Sequence, residues 1–217
     1  QDNKSSELLK SINISNVTVS GDTRFDSVLS NAQNAICIPL IEIFSQKKNT
    51  LIFGSIWPED EIFLIRYIND YPNNNYIIAP HELNNFSNIK KQTKALLYSE
   101  INNNNIFKSN VIIIDSIGLL SNIYQYGNLA YIGGGFGSGI HNILEACTFG
   151  LPVIFGPNYK KFNEAVSLIS NKGAISISDY KELISAIDNL RDFDKKIALN
   201  YIKENTGATN KILNRIS

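Results

Sequence analysis

Short apolar runs alternate with amphipathic stretches along most of the chain. Residues 50–53, 76–79, 111–114, 128–132, 153–155 and 174–177 are short and rich in β-branched or aromatic side chains, as strands are. Residues 111–114 read Val-Ile-Ile-Ile, the continuous pattern of a strand buried on both faces. Residues 17–20 and 96–99 read as two further brief strands. Helices are expected between them. One follows a cap at Asp22 or Thr23, one opens at Pro58, and one continues from Glu82 to about Lys94. Residues 119–126, 140–149 and 162–170 have helical spacing, and Asp179 caps a helix ending near Leu190. The remainder is helical with a break near Gly207. Residues 7–14 read as a short helix or linker, and the asparagine run 102–105 as an exposed loop.

Six or more strand–helix alternations predict a Rossmann-like, doubly wound parallel α/β sheet with helices on both faces. In such a sheet the carboxyl ends of the strands line one edge, where ligands bind. Gly21, Ser55, His81, Asp115, Gly133 and Gly156 stand at those ends. Domain expectations follow: residues 1–16 as a lead-in and 17–217 as one ligand-binding domain.

The 217 residues are 43% hydrophobic, enough for a sizeable core. Twenty basic side chains balance twenty acidic ones, without the basic excess of a nucleic-acid binder. The two cysteines, Cys37 and Cys147, lie in separate apolar patterns, which reads as a reduced, cytoplasmic protein without a disulfide framework or zinc site. The longest apolar run, 35–44, holds Pro39 and Glu42 and is too short to span a bilayer. The chain starts at Gln1 and contains no methionine, so it is expected to be a piece of a longer polypeptide.

Five glycines crowd positions 133–139, between a strand and a helical pattern. Glycines let backbone approach an anion, and a helix start offers unpaired N–H groups. The P-loop is excluded because Ile140 and His141, not Lys and Ser or Thr, follow Gly139. The dinucleotide fingerprint is excluded because no register places glycines first, third and sixth. An anion loop of another kind and a ligand-free tight turn both remain. Arg24 at a helix start calls for an anion or a bridge to Asp22 or Asp26. Glu59, Asp60 and Glu61 read as partners of a helix dipole. Ser55 is placed to meet a ligand, and His81 is either a structural hydrogen-bonder or a ligand contact. His141 and Glu145 share a helical spacing but have no evident third metal ligand, and Cys147 reads as a packed small residue.

Several segments together resemble 3-deoxy-D-manno-octulosonic acid (Kdo) transferases. They are Gly21-Asp-Thr-Arg-Phe-Asp26, Gly54-Ser-Ile-Trp-Pro-Glu-Asp-Glu61, Pro80-His-Glu82, Ile114-Asp-Ser-Ile-Gly118, Gly133-Gly-Gly-Phe-Gly-Ser-Gly-Ile-His-Asn-Ile-Leu-Glu145 and Phe155-Gly-Pro157. The resemblance runs from about Val17 to Ala174. It implies the carboxy-terminal, CMP-Kdo-binding half of a GT-B glycosyltransferase of lipopolysaccharide synthesis. The lipid A precursor acceptor, the catalytic carboxylate and the membrane contact would belong to an amino-terminal half, at the cytoplasmic face of the bacterial inner membrane. No catalytic residue, metal or cofactor is then expected in this chain. Gly134, Gly135, Phe136 and Gly137 would hold the CMP phosphate, and Asn142 and Glu145 would meet the phosphate or sugar and the ribose. Arg24 and Ser55 would contact Kdo or phosphate, Pro80 and His81 would border the nucleotide, and Ser116 and Gly118 would line the cytidine. Many members have arginine between the counterparts of Pro80 and His81. Its absence here leaves Arg24, Lys160 or Lys161 to bring a cation to the phosphate. Leu119 replaces a glutamate, which turns the cytidine contact there toward the backbone. The pattern also fits a UDP-sugar transferase or epimerase, or a non-catalytic nucleotide-binding module.

Overall fold

A computed structural model describes residues 1–83 and 86–216. Asn84 and Asn85, inside the helical stretch expected after Glu82, lie outside the described residues. The strands are β1 (Thr50–Ile56), β2 (Asn75–Pro80), β3 (Leu96–Leu97), β4 (Val111–Ile113), β5 (Leu129–Ile132), β6 (Val153–Phe155) and β7 (Ala174–Ser176). Among the described residues they form a single parallel sheet in the order β3-β4-β2-β1-β5-β6-β7. The helices are α1 (Asn3–Ser11), α2 (Thr23–Gln33), α3 (Pro39–Ser45), α4 (Pro58–Asp70), α5 (Ser87–Thr93), α6 (Leu120–Ile123), α7 (Leu144–Cys147), α8 (Asn163–Ser170), α9 (Tyr180–Asn189), α10 (Lys195–Asn205) and α11 (Ala208–Ile216).

Side chains alternate across each strand, so both faces of the sheet are apolar. Ile52, Ile77, Ile112, Ala130 and Phe155 pack in the layer with α2, α3, α7, α8 and α10. Phe53, Tyr76, Ile113, Tyr131 and Ile154 pack in the layer with α4, α5 and α9. Each fully buried Ile or Phe contributes about 1.5–3 kcal/mol relative to exposure. That double burial is why the strands read as continuous apolar runs rather than alternating ones.

Local signals held where they were side-chain caps. Asp22 Oδ1 accepts Arg24 N at 2.9 Å to start α2, and Asp179 Oδ1 accepts Glu182 N at 2.9 Å to start α9. Gly207, at φ +100°, breaks α10 from α11. The first helix begins before residue 7 because Asp2 Oδ1 accepts Ser5 N at 2.8 Å.

Four expected elements differ in the structure. Residues 17–20 join no ladder, since a four-residue run with two half-exposed valines has no face to bury. Gly21 therefore ends no strand, and a Cβ there would sit 3.3 Å from Ala208 Cβ of α11. The helix expected over 140–149 shrinks to α7. Gly134 (φ +87°) and Gly139 (φ +136°) carry the chain through an extended loop, and Ile140 and Ile143 are buried from that loop. Their spacing reported burial rather than helix. The strand and helix expected at 96–99 and 119–126 are likewise shorter, each passing into a 3₁₀ turn.

Candidate active site

From central β1 the chain winds outward through β2 to β4 and β3, whereas from β5 it winds the other way through β6 to β7. The loops leaving β1 and β5 thus diverge, which opens a crevice at the carboxyl ends of these neighbouring strands. At the end of β1, the pairing with β2 slips between Gly54 and Ile56, and Ser55 is held at φ +54°. A non-glycine residue there costs on the order of 1–2 kcal/mol, a strain typical of functional sites. Gly133 begins the opposite loop. A Cβ on it would collide with the Ser55 carbonyl and stand 2.8 Å from Asp60 Oδ2, so glycine is required by contact.

Asp60, in the first turn of α4, is 1% exposed. Its Oδ2 accepts Trp57 N and Gly134 N, both at 3.0 Å, and its Oδ1 accepts the Tyr131 hydroxyl at 2.7 Å. Three donors match the acceptor-only, ionised carboxylate. Burial pushes the Asp60 carboxyl above the usual range, against the pull of those hydrogen bonds. Burial, with Asp60 beside it, pushes the Tyr131 phenol up as well. Asp60 serves the start of α4, as the helix-dipole reading expects, and in addition holds Gly134 N and the Tyr131 hydroxyl. Its spacing with buried Leu64 and Ile68, four and eight residues on, was the available signal, since it puts the carboxylate on the core face of α4.

The loop's amides divide into spent and unspent donors. Gly133 N donates to Gly54 O, Gly134 N to Asp60, and Gly137 N and Gly139 N both donate to Gly134 O. Among the described residues, the N–H groups of Gly135, Phe136, Ser138 and Ile140 donate to no protein group, and Gly135 and Phe136 are the consecutive pair. Gly135 is pressed against Gly156, where a Cβ would meet Gly156 N at 2.5 Å, and the Phe136 ring stacks on Phe63 with centroids 4.9 Å apart. Gly137 is tied down through its carbonyl by Asn158 Nδ2 at 2.7 Å. Lys161 Nζ reaches Ser138 O at 2.7 Å, which brings one of the expected cations to the loop.

Both histidines of the chain meet here around its single tryptophan. Trp57 Nε1 donates to His141 Nε2 at 2.7 Å, so the neutral His141 ring carries its proton on Nδ1. His81 stacks on Trp57 with centroids 4.3 Å apart, and the two imidazoles lie 4.5 Å apart. Burial, then the neighbouring His81, lowers the His141 pKa. A small cavity of about 70 Å³ is lined by Ile56, Trp57, Pro58, His81 and Glu82.

Asn142 precedes α7 rather than lying on it. Its Oδ1 accepts Leu144 N at 3.1 Å, capping the turn, and its Nδ2 donates to Glu145 Oε1 at 3.1 Å. Burial raises the Glu145 pKa while this bond opposes the shift. Cys147 is fully buried, and burial pushes its thiol up to about 12, as a packed small residue requires.

The remaining residues stand farther out. Arg24 donates to Asp22 Oδ2 and, at 2.8 Å, to Glu164 Oε1, so two carboxylates already meet its charge. Pro80 ends β2, and His81 N donates to Ile56 O at 2.9 Å. Ser116 and Gly118 follow β4, two strands from β1, or roughly 10 Å at the usual strand spacing. Among the described residues, Ser116 Oγ is the buried side-chain oxygen without a partner. Gly118 takes φ +83° with open space around it. No three His, Cys, Asp or Glu side chains group as metal ligands among the described residues. Nor is any described helix long and apolar enough to cross a membrane.

No family model matches the chain. Its curated relatives include 3-deoxy-D-manno-octulosonic acid transferases. That of Rickettsia bellii is 28% identical over 204 residues, 90% of this chain and 49% of the relative. Those of Rickettsia prowazekii and Aquifex aeolicus are 28% and 26% identical over 73% and 70% of this chain, and 36% and 44% of theirs. The chain thus spans about half or less of the length of these relatives. Among solved structures, the carboxy-terminal CMP-Kdo binding domain of WaaA from Acinetobacter baumannii superimposes with a TM-score of 0.62 at 17% identity, over 82% of this chain and 97% of that one. UDP-GlcNAc 2-epimerase from Neisseria meningitidis superimposes at 0.56 and 16% identity, over 96% of this chain and 59% of that one. The fold is the Rossmann-like one shared with GT-B glycosyltransferases, and the sequence is similar to part of the Kdo transferases.

Proposed function

We propose that this chain is the donor-binding half of a Kdo transferase and holds CMP-Kdo at the crevice between β1 and β5. The observation that carries the proposal is the pair of consecutive unspent amides, Gly135 and Phe136, at the switch point of a chain similar to Kdo transferases. The donor phosphate accepts from these amides, and Lys161 adds charge beside them. Glu145, held by Asn142, accepts from the ribose hydroxyls, while Trp57 and His81 border the nucleotide beside Pro80. Gly134 and Gly137 shape the loop, with their own amides turned inward. Ser116 and Gly118 receive the cytosine end, and Ser55 and Arg24 lie on the Kdo side.

As the Kdo–phosphate bond breaks, negative charge grows on CMP. Preorganised amides aimed at it stabilise the transition state, each by about 2.7–4 kcal/mol where such donors have been removed from other enzymes. The acceptor hydroxyl of the lipid A precursor, its base and the membrane contact belong to a second domain, at the cytoplasmic face of the inner membrane. Residues 17–217 form the donor domain and residues 1–16 its lead-in.

Calorimetric titration of the chain with CMP and with UDP tests this reading. CMP is expected to bind at least tenfold more tightly. A UDP preference would move the chain to the UDP-sugar enzymes of the same architecture, and no affinity for either would remove the donor reading. Alone, the chain is expected to transfer no Kdo; full-length rates from it would show that the attacking base lies within these residues.

A further inference from the structure

Resting on that donor reading, we infer that the segment 57–60 is a two-point clamp on the glycine loop, with Asp60 as the positioning residue that aims the Gly135 and Phe136 amides. The loop is fastened at both ends to this one short segment. At its start, Gly134 N is taken by Asp60 Oδ2 at 3.0 Å. At its end, His141 Nε2 is taken by Trp57 Nε1 at 2.7 Å. The two ends are themselves neighbours, since a Cβ on Gly134 would stand 3.1 Å from His141 Cδ2. Asp60 Oδ2 also accepts Trp57 N at 3.0 Å, so the same oxygen orders both halves of the clamp.

A carboxylate beneath an anion loop repels an anion, so direct contact with the phosphate is not its role. Its effect is to turn one amide inward. Once Gly134 N–H points at Asp60, and Gly134 O is occupied by Gly137 N and Gly139 N, the next two amides are left without internal partners. The Phe136 ring, held on Phe63 of α4, keeps them in that orientation. Asparagine in place of Asp60 would keep one oxygen on Gly134 N–H and Trp57 N–H and turn its NH₂ group to the Tyr131 hydroxyl oxygen, so the clamp is opened only by removing both oxygens, as alanine does.

Trp57 is the sole tryptophan, so its fluorescence reads the clamp directly. The test compares Asp60→Ala with Tyr131→Phe in the whole chain. Tyr131→Phe removes the bond to Oδ1 and leaves both Oδ2 bonds intact. Asp60→Ala is expected to weaken CMP binding at least tenfold, to shift Trp57 emission, and to speed amide exchange across residues 134–141. Tyr131→Phe is expected to lower the denaturation midpoint while keeping CMP affinity within twofold. The inference is overturned if folded Asp60→Ala binds CMP within twofold of the unmodified chain. Equal loss of affinity in both variants also overturns it, because Asp60 would then act only through stability. Should Asp60→Ala not fold, Trp57→Phe opens the other fastening, and unchanged exchange at residues 139–141 contradicts the clamp. Should the unmodified chain bind no CMP, the donor reading fails, while exchange at 134–141 still decides the clamp.

Discussion

The two edges of the sheet end the same strands in opposite ways. At the amino edge asparagines close the starts of β1, β2, β4 and β5. Asn128 Oδ1 accepts Thr50 N at 2.9 Å, Asn75 Nδ2 donates to Phe44 O at 2.6 Å, and Asn110 Nδ2 donates to Pro72 O and Asn74 O. A groove of about 340 Å³ opens there between Leu51, Tyr67, Leu129 and Leu190, larger than the cavity beside His81. Of its polar rim, Arg191 pairs with Asp188, Asn74 Nδ2 donates to the Tyr76 hydroxyl and Asn128 Oδ1 accepts Thr50 N. At the carboxyl edge the backbone is strained at Ser55, glycines adopt positive φ, and the Gly135 and Phe136 amides lack partners among the described residues. Volume alone would select the amino edge, against the proposed donor site. Unspent hydrogen-bonding capacity, positioned by buried groups, is the better mark of a site.

Substitutions at the two edges test that contrast. The largest effect is expected from Gly135→Ala, whose Cβ meets backbone atoms of Gly156 that cannot move aside. A loss of about 1–3 kcal/mol in urea denaturation, together with undetectable CMP binding, is expected from such overpacking. Asn128→Ala at the quiet edge leaves Thr50 N–H unpaired and buried. It is expected to cost about 1–3 kcal/mol in the same assay while CMP affinity stays unchanged, and a matching loss of affinity would erase the distinction between edges. Glu145→Gln inverts that pattern. Calorimetry is expected to show roughly tenfold weaker CMP binding, about 1.4 kcal/mol, with the denaturation midpoint nearly constant.

The smallest expected effect is a pH dependence. Because burial lowers the His141 pKa, the folded chain binds fewer protons than the unfolded one below about 6.5, the ordinary histidine value. Stability therefore rises with pH through that window and levels off above it. Acidification also makes both His141 nitrogens donors, which breaks the bond from Trp57 Nε1. His81 and Asp60 face the same ring, the first adding to the shift and the second opposing it. Tryptophan emission and midpoint should change together between pH 7.5 and 5.5, and His141→Gln should flatten both; an identical pH profile in the variant assigns the effect elsewhere.

Strands β1, β2, β4, β5 and β6, the caps at Asp22 and Asp179, the start of α4 at Pro58 and the break at Gly207 were legible from residue order alone. Each is decided within a few residues, by a double-sided apolar run, a short polar side chain or a fixed φ. The glycine loop was legible too, because five glycines in seven positions report backbone that needs their freedom. What residue order left open depends on neighbours distant in the chain. Ile140 and Ile143 mimic a helix because a loop folded against the sheet buries them as a helix would. Asp60 passes for a dipole partner of Pro58 until β5 is laid beside β1, which brings Gly134, 74 residues away, to its Oδ2. The division of the loop into spent and unspent amides follows from that pairing. A hydrogen bond between distant segments exists only once the sheet has set the strand order, and the order of strands is not written in any local window.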